Sequence, residues 1–151
     1  MSEIRNRIDD AKLLWANGRR EGALLVALIG VAATARRRYP RSGDREGFEA
    51  FLSDCCTVRI TIEYRGKIHS IEHVLYKWLR CELVHEGKLP VDIQLMRETE
   101  PGLMSVRAGG KPDYIFRIGE GWFHHLIASV LGAPEHNPTR DGGKGNSRQS
   151  A

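Results

Sequence analysis

The feature that most constrains the fold is a stretch, residues 21–38, that is apolar on nearly every side until it reaches three consecutive arginines. A helix that is hydrophobic all round is normally buried inside a protein. The arginines stand where a helix C-terminus favours positive charge, and Pro40 follows to end the helix. The longest apolar tract, 23–35, is shorter than the roughly 20 residues that cross a bilayer. We therefore predict a central core helix and no membrane span.

Apolar residues at helical spacing predict four further helices. Asp44 is interpreted as the N-cap of the third helix in the chain, Gly87 ends the fourth, and Gly132 with Pro134 closes the fifth. The sequence thus predicts a mainly α bundle of about five helices. Apart from the core helix, the expected ranges are 4–15, 44–56, 70–87 and 122–131.

Two segments have the pattern of strands. Residues 57–65 alternate apolar and polar side chains before a turn at Gly66, which predicts a short strand. Residues 88–116 combine short apolar runs with glycine and proline turns, which predicts a small antiparallel insertion before the last helix. Residues 135–151 are polar and glycine-rich, so we predict one folded domain over 1–134 and a flexible tail after it.

The charge indicates the kind of partner that the protein could bind, and the cysteine content indicates the compartment. The net charge is +4 and arginine outnumbers lysine, with Arg36, Arg37 and Arg38 in a row. Arginine suits phosphate, so these three are candidate substrate-binding residues, although a solvated helix end explains them equally well. Three cysteines in an odd count favour a reducing cytoplasm over a disulfide framework. The charged N-terminus does not resemble a signal peptide.

Residues 69–73 contain the H-x-x-E-H spacing of a zinc protease. His69 and His73 would bind the metal, and Glu72 would activate a bound water. We expect no metal site, because no downstream acid stands out as a third ligand. In addition, His69 follows the Gly66 turn so closely that it precedes the helix. The alternative is a solvated helix start, with Glu72 near the positive end of the helix dipole.

The end of the fourth helix carries a second candidate site. At about 100° per residue, the apolar stripe through Val74 and Trp78 is expected to reach Glu82 and His85. Buried polar groups need partners, so these two either satisfy each other or emerge into a cleft. In a cleft, His85 would exchange a proton near neutral pH and Arg80 would hold a phosphate. Both alternatives stay open, and Arg80 lies about 140° around the helix from His85.

The segment "LYKWLRCELVHEG", on a helix inside a helical bundle, resembles the HEPN superfamily, the higher eukaryotes and prokaryotes nucleotide-binding domain. Its mark is an arginine followed four to six residues later by a histidine, here Arg80 and His85. The apolar second helix, the short "DREGFEAFL" helix and the last helix "GWFHHLIASVL" are similar too. The likeness covers most of residues 3–134, and its specific part is confined to the fourth helix.

This resemblance implies a homodimer in which the motif helices face each other, and metal-independent RNA cleavage without a cofactor. His85 would act as acid or base on the ribose 2′-hydroxyl, and Arg80 would stabilise the charged phosphorus, with Glu82 and Cys81 in support. RNA or a nucleotide would be the ligand, and an antitoxin a further partner. Because active members often carry a polar residue where Cys81 stands, a non-catalytic binding or scaffolding module is the alternative.

Overall fold

Helices dominate the computed structural model, which describes residues 2–109 and 114–136. Three successive elements, α4, a π-helical segment and α5, form one continuous helix, 71–86, which we call the motif helix. Counted so, the described ranges hold five long helices, and the predicted mainly α class is confirmed. The elements in chain order are α1 (Glu3–Ala16), α2 (Arg20–Arg38), α3 (Asp44–Cys55), β1 (Thr61–Tyr64), β2 (Lys67–Ser70), α4 (Ile71–Val74), the π segment (Leu75–Arg80), α5 (Cys81–Glu86), β3 (Ile93–Met96), β4 (Val106–Ala108), β5 (Phe116–Gly119), α6 (Gly121–Leu131) and a 3-10 turn (Pro134–His136).

The α1–α2 hairpin forms one wall of the core. Ile4 and Ile8 of α1 are buried against α2. A Cβ at Gly30 would lie 3.0 Å from Cδ1 at the end of the Ile8 side chain, so glycine lets the two helices approach without displacing that atom. On the core side of α2 lie Leu24 and Leu28, both fully buried. The prediction of a core helix is therefore confirmed for the inner face of α2, whereas its outer face is partly exposed.

Aromatic stacking joins the last helix to the first. The rings of Trp15 in α1 and Phe123 in α6 are parallel, with centroids 4.0 Å apart. The guanidinium of Arg20 lies 4.0 Å from the Trp15 ring centroid. The Glu98 carboxylate fixes the start of α6, because it accepts hydrogen bonds from Gly121 N (3.2 Å) and Ser105 N (2.9 Å). These contacts hold the bundle and the small sheet in one core. No helix in the described ranges is long and apolar enough to cross a membrane.

The predicted strand over 57–65 is shorter than expected and belongs to a hairpin. β1 pairs antiparallel with β2 through a two-residue turn in which Arg65 and Gly66 both have positive φ. This turn type matches the right-handed twist of paired strands. Ile62 and Tyr64 are buried as the alternation predicts, but Val58 is 63% exposed because it precedes the strand.

The insertion forms a mixed sheet, so the prediction of an antiparallel one is wrong in part. The strand order is β3-β5-β4, with β3 parallel to β5 and β4 antiparallel to β5. The chain leaves β3, forms β4 on the far side and returns between the two, which requires the long connection that parallel strands always need. β5 begins at Phe116 and runs to Gly119, so the insertion ends three residues later than predicted.

The folded domain extends past the predicted boundary at residue 134. Glu135 and His136 pack on α2, and His136 is buried, which the polar composition of 135–151 did not indicate. The rest of the predicted tail, 137–151, lies outside the described residues.

Candidate functional site

The motif helix begins and ends where the sequence indicates. The Ser70 side chain caps its N-terminus by accepting a hydrogen bond from His73 N at 3.2 Å. Gly87 ends it in the left-handed conformation, with φ 71°. A serine N-cap and a glycine after the last turn are the favoured residues at those positions. The candidate residues Arg80 to His85 therefore occupy the last two turns of a well-terminated helix.

The π segment changes which residues face the core. Its hydrogen bonds join residues five apart, as in Cys81 N to Tyr76 O, so one turn contains about one extra residue. The buried stripe consequently continues to Leu83, which is 3% exposed. The prediction that the stripe reaches Glu82 and His85 is wrong, because Glu82 is half-buried and His85 is exposed. The buried members of the motif helix are Ile71, Val74, Leu75, Trp78, Leu79 and Leu83.

Arg80 lies in a cluster centred on Asp44, the first residue of α3. Arg80 Nη1 is 3.1 Å from one carboxylate oxygen of Asp44, and Arg36 Nη2 is 3.3 Å from the other. The Tyr76 hydroxyl donates to the same carboxylate at 3.5 Å, and the Arg80 guanidinium lies 5.3 Å from the Tyr76 ring centroid. We call these four residues the Asp44 cluster. The pKa of Tyr76 is raised, first by burial and then by the negative charges near it.

The Asp44 cluster has an excess of positive charge. Two guanidinium groups meet one carboxylate, which leaves a net charge of about +1 before any ligand binds. The side chain of Arg36 is 78% exposed and that of Arg80 is 21% exposed. A small cavity of about 140 Å³ opens beside them, lined by Arg36, Asp44, Ser42 and Gly43 among others. An anion can therefore reach this site from solvent.

His85 is separate from the Asp44 cluster within one chain. In the described part of the chain, no hydrogen bond or ion pair joins Arg80 to His85, or Glu82 to His85. Arg80 points to the start of α3, while His85 is exposed in the final turn. Cys81, between them, is a half-buried free thiol. The geometry leaves the His85 imidazole accessible to solvent and to a ligand.

The other two predicted substrate-binding arginines face the C-terminal segment. Arg38 makes a two-pronged contact with Glu135, at 2.6 and 3.1 Å, and is 3.3 Å from Asp54. Arg37 Nη1 donates to His136 Nδ1 at 3.3 Å. Of the three consecutive arginines, only Arg36 thus joins Arg80 in one cluster.

A chain of hydrogen bonds fixes the proton position on buried His136. The Thr34 hydroxyl donates to the Gly30 carbonyl at 2.8 Å, so its oxygen accepts the Nε2–H of His136 at 2.6 Å. Nδ1 is then unprotonated and accepts from Arg37. Burial, and next the charge of Arg37, lower the pKa of His136. The neutral imidazole is therefore the form that this contact requires.

The residues of the zinc signature do not share a helix face. His69 lies in β2 and His73 in α4, and their rings are 5.4 Å apart and nearly parallel. His73 Nδ1 is 2.5 Å from Glu49 Oε1, which the sequence pattern missed because Glu49 is on α3. Burial lowers the pKa of His69, and the charge interaction with His73 lowers it further. Across the described ranges, no group of three or more ligand-type side chains is arranged to hold a metal ion.

Asp44, Glu49 and Tyr76 are site residues whose role the sequence did not reveal. Asp44 was expected to be the N-cap of α3, but Gly43 takes that position and Asp44 begins the helix. The spacing of Asp44, Phe48 and Phe51 indicates that they share one face of α3, which is a sequence signal that Asp44 lies near the core. This spacing does not show that the motif helix supplies Arg80 as the partner of Asp44.

The fold and the site together define a small, mainly helical domain with a basic cluster at the start of α3 and an exposed histidine on a neighbouring helix. Residues 3–144 match the model of the Rv1289 family, a family of unknown function. Because this match covers nearly the whole chain, the protein belongs to the Rv1289 family. No curated protein and no solved structure matches the chain significantly.

Proposed function

We propose that this protein is a metal-independent endoribonuclease in which His85 and Arg80 act on one phosphodiester. The observation that carries the proposal is that one helix carries both an exposed imidazole, that of His85, and the guanidinium of Arg80, which belongs to an electropositive cluster. Histidine exchanges a proton near neutral pH, and arginine stabilises charge on a phosphoryl group. The Arg80-to-His85 spacing, which resembles that of the HEPN superfamily, supports the same assignment.

In the proposed reaction, His85 removes the proton from a ribose 2′-hydroxyl. The 2′-oxygen then forms a bond to the adjacent phosphorus, the bond from phosphorus to the 5′-oxygen breaks, and the protonated His85 imidazole returns its proton to the leaving 5′-oxygen. The products are a 2′,3′-cyclic phosphate and a 5′-hydroxyl, so no water and no metal takes part in the bond changes. Arg80 and Arg36 stabilise the negative charge on the phosphoryl oxygens.

The site needs two chains. Arg80 and His85 are about 140° apart around a helix, and Arg80 is turned toward Asp44. A second protomer that faces the motif helix supplies the missing group: His85 of one chain approaches the Asp44 cluster of the other. A homodimer is therefore part of the proposal, and an antitoxin partner stays a prediction from the resemblance.

The test is RNA cleavage by the purified protein in EDTA. We expect His85→Ala and Arg80→Ala each to lower the cleavage rate by at least ~100-fold, the typical contribution of a general acid or base. Matched controls are His124→Ala and Arg107→Ala, which remove an exposed imidazole and an exposed guanidinium elsewhere on the surface.

Cleavage that survives in both site variants would contradict the proposal. RNA binding without cleavage by the wild type would instead favour the second candidate, a non-catalytic RNA-binding module with the same cluster. That binding should weaken steeply with salt, because arginine contacts release counterions from phosphates.

A further inference from the structure

Three hydrogen-bond donors converge on the Asp44 carboxylate. Arg80 Nη1 and the Tyr76 hydroxyl lie 3.1 and 3.5 Å from the same oxygen, Oδ2, and Arg36 Nη2 lies 3.3 Å from Oδ1. Arginine binds carboxylate and phosphate with the same N–H groups, because both anions present oxygens that carry the negative charge. The donors that face Asp44 are therefore the donors that a phosphate of a ligand would need.

A phosphate and the Asp44 carboxylate cannot both keep these donors. The two guanidinium groups supply about two positive charges, and the carboxylate already balances one of them. A phosphodiester on the same donors also lies close to the carboxylate, and like charges at such a distance repel each other even in water. A bound phosphate therefore favours the departure of the Asp44 carboxylate from the cluster.

The Asp44 side chain can leave the cluster without a change of fold. It is 43% exposed, so rotation of the side chain brings the carboxylate into solvent. The position of α3 does not depend on it, because Phe48 and Phe51 anchor that helix in the core. Asp44 also lies in the first turn of α3, where the positive end of the helix dipole favours a carboxylate in either position.

Arg80, in contrast, has contacts that hold it in place without Asp44. Its side chain is only 21% exposed, and its guanidinium lies 5.3 Å from the Tyr76 ring centroid, where the face of the ring attracts a cation. The Tyr76 ring packs in turn against Phe48, with the two centroids 5.3 Å apart. The carboxylate is thus the mobile member of the pair, and the guanidinium keeps its direction after the carboxylate has turned away.

We propose that Asp44 competes with nucleic-acid phosphate for Arg80 and Arg36. In the unliganded protein the carboxylate holds both guanidinium groups, and when a phosphodiester binds, the carboxylate turns toward solvent. The contact is autoinhibitory, because it lowers the affinity of the Asp44 cluster for a phosphate. The inference rests on the proposed function for the kind of ligand, but it does not depend on whether the bound strand is cut.

The experiment measures binding separately from cleavage. The probe is labelled single-stranded DNA, which carries phosphodiesters but lacks the 2′-hydroxyl that the proposed cleavage requires, and fluorescence anisotropy gives its affinity. Asp44→Asn removes the charge and keeps the shape of the side chain. Its affinity should exceed that of the wild type about three- to ten-fold, as expected when partly exposed ion pairs no longer compete. The slope of log affinity against log salt should become steeper by about 1.

The matched control is Glu46→Gln, which removes one negative charge from the same first turn of α3. Glu46 is exposed and is not part of the Asp44 cluster, so its affinity should stay within about two-fold of the wild type in physiological salt. Asp44→Glu keeps a carboxylate and should also remain close to the wild type. In an Arg80→Ala background, Asp44→Asn should gain less than it gains in the wild type, because the principal guanidinium that it releases is then absent.

Equal gains in Asp44→Asn and Glu46→Gln would overturn the proposal, because net charge alone would then explain them. Lower affinity in Asp44→Asn, with a wild-type circular dichroism spectrum, would also overturn it, because Asp44 would then position Arg80 for the phosphate. So would a failure of both the wild type and Asp44→Asn to bind the DNA. Failure of the nuclease proposal gives a different result: RNA stays uncut by the wild type while Asp44→Asn still binds DNA more tightly, which supports the competition.

Discussion

Two neighbouring arginines at the end of α2 lie in clusters of opposite character. Arg36 shares the single Asp44 carboxylate with Arg80, so that cluster has more guanidinium groups than carboxylates. Arg38 has two carboxylates, Glu135 and Asp54, and its guanidinium lies 4.8 Å from the Phe51 ring centroid. The first cluster has charge left for a ligand, whereas the second is saturated and holds the C-terminal segment. A run of arginines is therefore not one binding surface.

The difference between the two clusters can be tested by removing each arginine and measuring the free energy of unfolding. Arg38→Ala should lower the free energy of unfolding by about 2 kcal/mol, because Glu135 loses a two-pronged charged partner in a partly buried site. Arg36→Ala should lower it by less than ~0.5 kcal/mol, since that side chain is 78% exposed. Urea titration measures both values. Equal losses would show that the two clusters do not differ.

The proposed RNA binding should show the opposite difference between the two clusters, because it should depend on Arg36 and not on Arg38. Arg36→Ala should weaken RNA binding about three- to ten-fold and reduce the slope of log affinity against log salt by about 1. Lys rather than Ala at position 36 should restore most of the affinity, because the charge is kept. Fluorescence anisotropy with a labelled RNA measures both quantities.

The matched control for that measurement is Arg38→Lys, which keeps the charge of the saturated cluster. It should leave the affinity and the salt slope unchanged. A larger affinity loss in Arg38→Lys than in Arg36→Ala would place the RNA at the Arg38 cluster and contradict the proposal.

A smaller effect is expected from pH. Folding keeps His136 neutral and lowers its pKa, so the unfolded chain takes up a proton first as the pH falls. The stabilisation is complete above the unfolded pKa of about 6.5 and is lost progressively below it. His125, whose pKa burial also lowers, contributes in the same direction. The midpoint temperature of thermal unfolding should therefore decrease as the pH is lowered from ~8 to ~5.

His136→Gln should make that pH dependence shallower, because the unfolded chain then has one fewer imidazole to protonate. A Thr34→Val variant keeps His136 ionisable and serves as the control for lost hydrogen bonding. An unchanged slope in His136→Gln would mean that the contact of residues 134–136 with α2 does not depend on the proton.

The helices could be predicted from the sequence because each one carries a local signal. Apolar spacing indicates α1 and α6, Ser70 and Gly87 mark the motif helix, and the mainly α class follows from these. Residues that are distant in the chain decide the rest. The parallel pairing of β3 with β5 depends on the path of a loop, and the contact of Thr34 with His136 spans 102 positions.

The geometry around the candidate site residues could not be predicted from the sequence. The sequence indicates Arg80 and His85. Regular helical spacing does not predict the extra residue that the π segment adds to one turn. That one change moves Leu83 into the core and leaves His85 in solvent. Asp44 as the partner of Arg80 depends on the packing of α3 against the motif helix, which periodicity does not contain.

The most direct test of the central claim mixes two inactive variants. If Arg80 of one chain and His85 of the other act together, a mixed dimer of Arg80→Ala and His85→Ala has one intact site out of two. Half of the dimers in an equal, equilibrated mixture are mixed, so cleavage should recover to about a quarter of the wild-type rate. A mixture that stays inactive, while the wild type cuts RNA under the same conditions, would contradict a site shared between two chains.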